Sequence, residues 1–90
     1  MNKVIITVVG KDNKGIIARV CTYLAEHEAN ILDISQTIID GFFNMMMIVD
    51  YSNADNEFGT MVNDLDKLGE EIGVRIRCQR EEIFTKMHRV

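Results

Sequence analysis

The sequence predicts a two-layer α+β fold in the order βαββαβ, and three observations carry that expectation. The apolar residues change period along the chain, from strand-like runs to a helical repeat and back, and they do so twice. Asp40-Gly41, the strongest hairpin signal present, falls between the second and third strand-like runs. Proline is absent and no low-complexity stretch interrupts the 90 residues, so one domain with one core is expected.

Each element has its own justification. Lys3–Val9 reads as a strand whose Val4, Ile5, Ile6, Val8 and Val9 are apolar on both faces, which suits a central position. From Gly15 the period becomes helical: Ile17, Val20, Cys21 and Leu24 form one stripe, with Arg19, Glu26 and Glu28 off it. Asn30–Ile39 sets Leu32, Ile34 and Ile38 against Asp33, Ser35 and Thr37, the pattern of an edge strand with one wet face. After the hairpin, Phe42–Tyr51 places Phe43, Met45, Met47, Val49 and Tyr51 on one side and Met46 and Ile48 on the other. Ser52-Asn53-Ala54-Asp55 is a loop, with Asp55 or Asn56 as the expected N-cap of a second helix. Phe58, Met61, Val62, Leu65, Leu68 and Ile72 hold that helix's stripe, and Gly73 suits its C-terminal stop. Val74, Ile76 and Cys78 then alternate with Arg75, Arg77 and Gln79 in a last strand. Ile83, Phe84 and Met87 have helical spacing in the tail, so residues 1–81 are expected to form the domain and 82–90 a short docked helix.

With both helices on one face of a four-stranded antiparallel sheet, this order is the ferredoxin-like sandwich. Right-handed crossovers put the first and third strands in the middle, where the runs apolar on both faces belong. The opposite face would then show Met46, Ile48 and one side of the first strand to water. An apolar patch of that kind marks an interface, so a homodimer is expected.

Composition removes several classes. The net charge of −4 argues against nucleic acid, because phosphate-backbone binding needs clustered Lys and Arg. Arg75 and Arg77 alternate along a strand and read as the solvated side of a sheet. No apolar run approaches the ~20 residues that cross a bilayer, and no signal peptide opens the chain, so a cytoplasmic location is expected. Cys21 and Cys78 lack CxxC spacing and read as small buried hydrophobes. Three consecutive methionines, Met45, Met46 and Met47, cannot converge on a soft metal because alternation sends Met46 to the other face. His27 and His88 have no partner at ligand spacing, and His27 is expected near a helix C-terminus. Glu70-Glu71 and Glu81-Glu82 read as solvated charge rather than a catalytic pair. No catalytic motif, metal set or cofactor signature is present in the sequence, and a non-enzymatic protein is expected.

The polar loop Asp12-Asn13-Lys14-Gly15-Ile16 is the candidate site. It ends on glycine where the first helix begins, and helix N-termini combine unpaired N–H donors with the positive end of the peptide dipole. Such a loop suits a carboxylate. Asp12 either recognises an ammonium group or caps the helix as an ordinary loop residue.

The stretch Val4–Ile34, with its Asp12-x-x-Gly15-Ile16 loop and Asn30-Ile31, resembles the ACT domain family, and the likeness extends over the whole βαββαβ unit. It looks like the free-standing single-domain bacterial members, which are akin to the ACT halves of the glycine cleavage system repressor and of formyltetrahydrofolate deformylase. The resemblance implies a regulatory module that binds an amino acid between the loop of one subunit and the second strand of its neighbour, with edge strands paired across a two-fold axis. By that likeness Asp12 and Asn30 hold the ligand, and Asn13, Lys14, Gly15 and Ile16 complete the loop. Asn30 otherwise reads as a turn residue after the helix. Asp12 stands where serine-binding members have asparagine, and an aspartate attracts an ammonium group and repels a carboxylate. The implied partners are a small amino acid or metabolite, a second copy and a signalling protein.

Three alternatives remain on the sequence alone. A constitutive interaction module would need no ligand. An acyl phosphatase of the same shape would need an arginine in the first loop, where only Lys14 is cationic. An RNA binder would need outward aromatics on both central strands, and the first strand has none.

Overall fold

The computed structural model describes residues 2–11, 14–52, 54 and 57–80. Six elements follow in order: β1 (Lys3–Lys11), α1 (Ile16–Glu26), β2 (Asn30–Ile39), β3 (Phe42–Asp50), α2 (Phe58–Ile72) and β4 (Val74–Arg80). They form one antiparallel sheet in the order β2-β3-β1-β4, the ferredoxin-like arrangement with β1 and β3 central. Asp12, Asn13, the expected caps Asp55 and Asn56, and the tail with its Glu81-Glu82 pair, His88 and expected helix lie outside the described residues.

Alternation builds the core. Val4, Ile6 and Val8 of β1, Phe43, Met45, Met47 and Val49 of β3, and Ile76 of β4 point to one side. There they meet Ile16, Val20 and Leu24 of α1 and Met61, Leu65 and Leu68 of α2, so both helices cover the same face. Met46 lies on the other face, as the strand period requires. The helices are tied to each other by the Tyr23 hydroxyl, which donates to the Asp64 carboxylate over 2.7 Å.

Turn chemistry closes the elements where it was expected to. Asp40 and Gly41 both take positive φ, 52° and 81°, the requirement of a tight primed hairpin. Gly73 ends α2 at φ 77°, with its N–H donating to the Gly69 carbonyl. Gly69 matters for a different reason. A β-carbon there would stand 2.7 Å from the Val74 carbonyl oxygen, so only glycine lets α2 lie this close to β4.

Three expectations are corrected. The N-cap of α2 is Glu57, not Asp55 or Asn56, because the first helical bond runs from the Met61 N–H to the Glu57 carbonyl. Phe58 fixes that start by packing its ring 5.7 Å from Tyr51, with the Arg80 guanidinium 4.7 Å above it. β1 continues past Val9 to Lys11, since Gly10 and Lys11 pair with Phe43 and Phe42. In β2 the simple alternation fails, because the register skips Leu32 between Ile31 and Asp33. That bulge reverses the phase of the strand. Ile31 lies opposite Val49 on the helix side, and after the bulge Ile34, Gln36 and Ile38 lie opposite Met47, Met45 and Phe43 on that same side. β2 is exposed on both faces apart from a half-buried Ile31.

Candidate ligand site at the first helix N-terminus

Gly15 is the N-cap of α1 and sits at φ 87°, in the left-handed region that glycine occupies without a steric penalty. Its carbonyl accepts the first helical hydrogen bond, from the Arg19 N–H at 2.9 Å. The N–H groups of Gly15, Ile16, Ile17 and Ala18 therefore have no carbonyl partner within the helix. Among the described residues no side-chain cap bond is made at this end and no acidic residue stands in the first turn, so the positive end of the dipole is not neutralised from within α1.

Those same four residues line one side of an open cavity of about 260 Å³. Gln36 and Ile38 of β2 and Phe43 of β3 line the other. The antiparallel topology explains their arrival. Gly10 pairs with Phe43, and Phe43 with Ile38, so the hairpin end of β2–β3 lies beside the loop that follows β1. The site thus offers a row of amide donors, one side-chain amide and an apolar wall. This is the equipment for holding a small anion that carries an apolar or amide-compatible group.

The expected residues separate into three groups. Gly15 and Ile16 form the cavity wall, and Lys14 is exposed just ahead of it. Asp12 and Asn13 fall outside the described residues. Asn30 lies at the opposite end of β2, paired with Asp50 and in line with Lys3. Ile38 lies eight steps further along the strand, roughly 26 Å away. Within one chain Asn30 and Gly15 are not brought together. Gln36, Ile38 and Phe43 went unassigned in the sequence, although the hairpin signal and the strand order together place the Asp40-Gly41 end of β2 beside the first loop.

Other titratable groups have structural explanations. The Asp50 carboxylate accepts from the Ser52 hydroxyl at 2.6 Å and the Ser52 N–H at 2.9 Å, and these bonds hold its pKa below the ordinary carboxylate value. Burial pushes the Cys78 thiol up to about 12. His27 is the C-cap of α1, and its ring lies 4.4 Å from that of Tyr23. Among the described residues no three His, Cys, Asp or Glu side chains converge as a metal set. No helix among them is long and apolar enough to cross a membrane.

A four-stranded antiparallel sheet in the order β2-β3-β1-β4, with both helices on one face, defines the ferredoxin-like class of small domains. Residues 2–79 match the ACT domain family, and the chain belongs to it. It is 77% identical to the UPF0237 protein of Bifidobacterium longum, over the full length of both chains. An ACT domain protein from Streptococcus pneumoniae superposes with a TM-score of 0.82 at 43% identity, covering 92% of this chain and 93% of that one. A protein assigned as a glycine cleavage system transcriptional repressor shares 26% identity and a TM-score of 0.72 over 88% of this chain and 45% of its own. The formyltetrahydrofolate deformylase of Pseudomonas syringae shares the fold at a TM-score of 0.82 and 21% identity, over 89% of this chain and 28% of the enzyme.

Proposed function

We propose that this chain is a non-enzymatic, cytoplasmic regulatory module that binds a small amino acid or related metabolite at a homodimer interface. The observation that carries this reading is the cavity lined by Gly15, Ile16, Ile17 and Ala18, whose amides have no helical partner and no acid nearby in the helix. A ligand carboxylate accepts from these N–H groups, and Ile38 and Phe43 meet its apolar part. Asp12 takes the ammonium group, with Asn13 and Lys14 completing the loop. One wall of the cavity is β2, an edge strand that leaves Ile34 and Ile38 exposed. A second copy pairing along that edge closes the cavity, and Asn30 reaches a site only as the neighbour's contribution. The ordered loop then changes the surface offered to a partner protein.

Thermal unfolding of the purified protein against the twenty amino acids and a set of folate and purine metabolites tests the reading. A ligand at 100 times its Kd stabilises by about 2.7 kcal/mol, which moves the midpoint of a domain this size by about 10 °C or more. The expected result is a selective shift that Asp12→Ala and Gly15→Val both abolish. A flat profile favours the second reading, a ligand-free interaction module. The exposed apolar residues of β2 support that alternative. A shift that survives both substitutions places the site elsewhere.

A further inference from the structure

The sheet face opposite the helices carries two arginines that no described residue engages. Alternation along β4 puts Arg75 and Arg77 on that face, opposite Val9 and Thr7 of β1. Both are exposed, and among the described residues neither guanidinium forms an ion pair, a hydrogen bond or a ring contact. Arg19 and Arg80, by contrast, are engaged: one pairs with Glu71 at 3.5 Å and the other lies over the Phe58 ring. Side chains two residues apart on a strand stand ~7 Å from each other on one face, so the two free cations repel and gain nothing from the fold.

Their cross-strand rows hold no carboxylate. One row runs through Arg75, Val9, Asn44 and Thr37, the next through Arg77, Thr7, Met46 and Ser35. Asp33 shares the face but stands on β2, three strand spacings or ~14 Å from β4, and its carboxylate accepts from the Ile34 N–H at 2.8 Å. Between the arginines and the β2 edge the rows form a shallow cavity of about 210 Å³, lined on this face by Thr7, Val9, Ser35, Thr37, Asn44 and Met46. Thr7 and Asn44 are half-buried. Among the described residues none of the four polar side chains there has a hydrogen-bond partner within the protein. Val9 and Met46 are 47% and 41% exposed and give the cavity an apolar floor.

Hydroxyl and amide groups beside an apolar floor match a sugar ring, whose hydroxyls form hydrogen bonds while its C–H face packs. The volume falls below the ~300–1,000 Å³ of drug-sized ligand sites, so it admits one ring and not a dinucleotide. One strand spacing, ~5 Å, separates the β1 wall of the cavity from the two arginines. Two planar guanidinium forks within that reach match a tetrahedral dianion. We propose that this face binds a phosphorylated sugar. The ring lies over Val9 and Met46, its hydroxyls bond to Ser35, Thr37 and Asn44, and the phosphate sits between Arg75 and Arg77. Thr7 stands where ring and phosphate meet. The cavity beside Gly15 lies on the helix side of the same sheet, so this is a second site, and it stands independently of the amino-acid reading.

The test is a titration of the isotopically labelled full chain with ribose 5-phosphate, read from backbone amide signals by nuclear magnetic resonance. Ribose, inorganic phosphate and AMP are run in parallel. Saturable shifts are expected at Thr7, Val9, Asn44, Met46, Arg75 and Arg77, with an affinity about tenfold or more above those of ribose and inorganic phosphate. AMP shifting the same amides more strongly supports the proposal with a nucleotide as the source, and weaker AMP binding supports it with a free sugar phosphate. The double substitution Arg75→Gln, Arg77→Gln lowers the affinity by about tenfold or more, because each charge-assisted bond carries at least that much. Lys67→Gln, on α2 behind the sheet, leaves it unchanged. Absence of saturable shifts in the unsubstituted protein overturns the proposal. So does inorganic phosphate binding as tightly as ribose 5-phosphate, or a response confined to Gly15–Ala18.

Discussion

β4 and β2 both run along an outer edge of the sheet, but the two edges are protected to very different degrees. β4 is seven residues long and carries Arg75, Arg77 and Arg80, and its inner side is held against α2 by the close approach at Gly69. Its apolar residues Val74, Ile76 and Cys78 are all at least half-buried. β2 is ten residues long, has Asp33 as its one charge, and exposes Leu32, Ile34, Ile38 and Ile39. Charged, short, covered edges resist pairing, and long apolar ones invite it. The comparison teaches that one edge of this sheet is protected within the described residues and the other is left unprotected. Residues of the unprotected edge, Gln36 and Ile38, line the candidate cavity.

Substitutions at the two edges should therefore differ in kind as well as size. Gly69→Val forces a side chain into the Val74 carbonyl and is expected to cost about 3 kcal/mol, read as a fall in the urea midpoint. Gly15→Ala, on the cavity side, meets no atom within 4 Å, so its cost comes from the left-handed backbone alone, about 1–2 kcal/mol in the same assay. If it costs nothing, the loop relaxes more freely than a helix cap should.

A pH-dependent effect tests how well β4 is sealed. The folded protein holds the Cys78 proton up to about 12, above the ordinary 9.0, so the unfolded chain ionises first. The stabilisation is complete below pH 9 and is lost as pH rises from 9 toward 12. Urea midpoints should drift down over that window more steeply than in Cys78→Ala. Equal slopes would mean that water reaches the thiol. The smallest effect on folding is expected at β2. Ile38→Lys should change the stability of the monomer by no more than about 0.5 kcal/mol, yet sedimentation equilibrium should show loss of self-association. A variant that remains associated would shift the interface to the open sheet face.

The sequence made much of this legible because local and global signals agreed. Phe58 to Ile72 repeats at the helical period and Gly73 stops it, and the helix occupies those residues. Asp40-Gly41 demands positive φ at two adjacent positions, which only a primed turn uses. The bulge at Leu32 was hidden, because a one-residue register slip leaves no mark in an alternating pattern that reads well on either side of it. The helix start at Glu57 was hidden for a similar reason. Asp55 and Asn56 are the better caps by residue type, and the packing of Phe58 against Tyr51 and Arg80 decided otherwise. At the candidate site, the loop motif named Gly15 and Ile16, which line the cavity, whereas the facing wall of Gln36, Ile38 and Phe43 comes from strand pairing, which no local window contains.

The skipped residue in β2 also bears on how growth at that edge is limited. A long, flat, apolar strand without lysine or proline is a template on which identical strands stack indefinitely. The slip at Leu32 breaks β2 into a short stretch, Asn30–Ile31, and a longer one, Asp33–Ile39, whose side chains are out of phase. A docking strand can follow one stretch in register but not both, and the bulge adds local twist. In the proposed dimer, pairing is thus confined to a closed encounter between two edges. Deleting Leu32 would straighten the strand and convert a self-limiting contact into one that propagates as fibres.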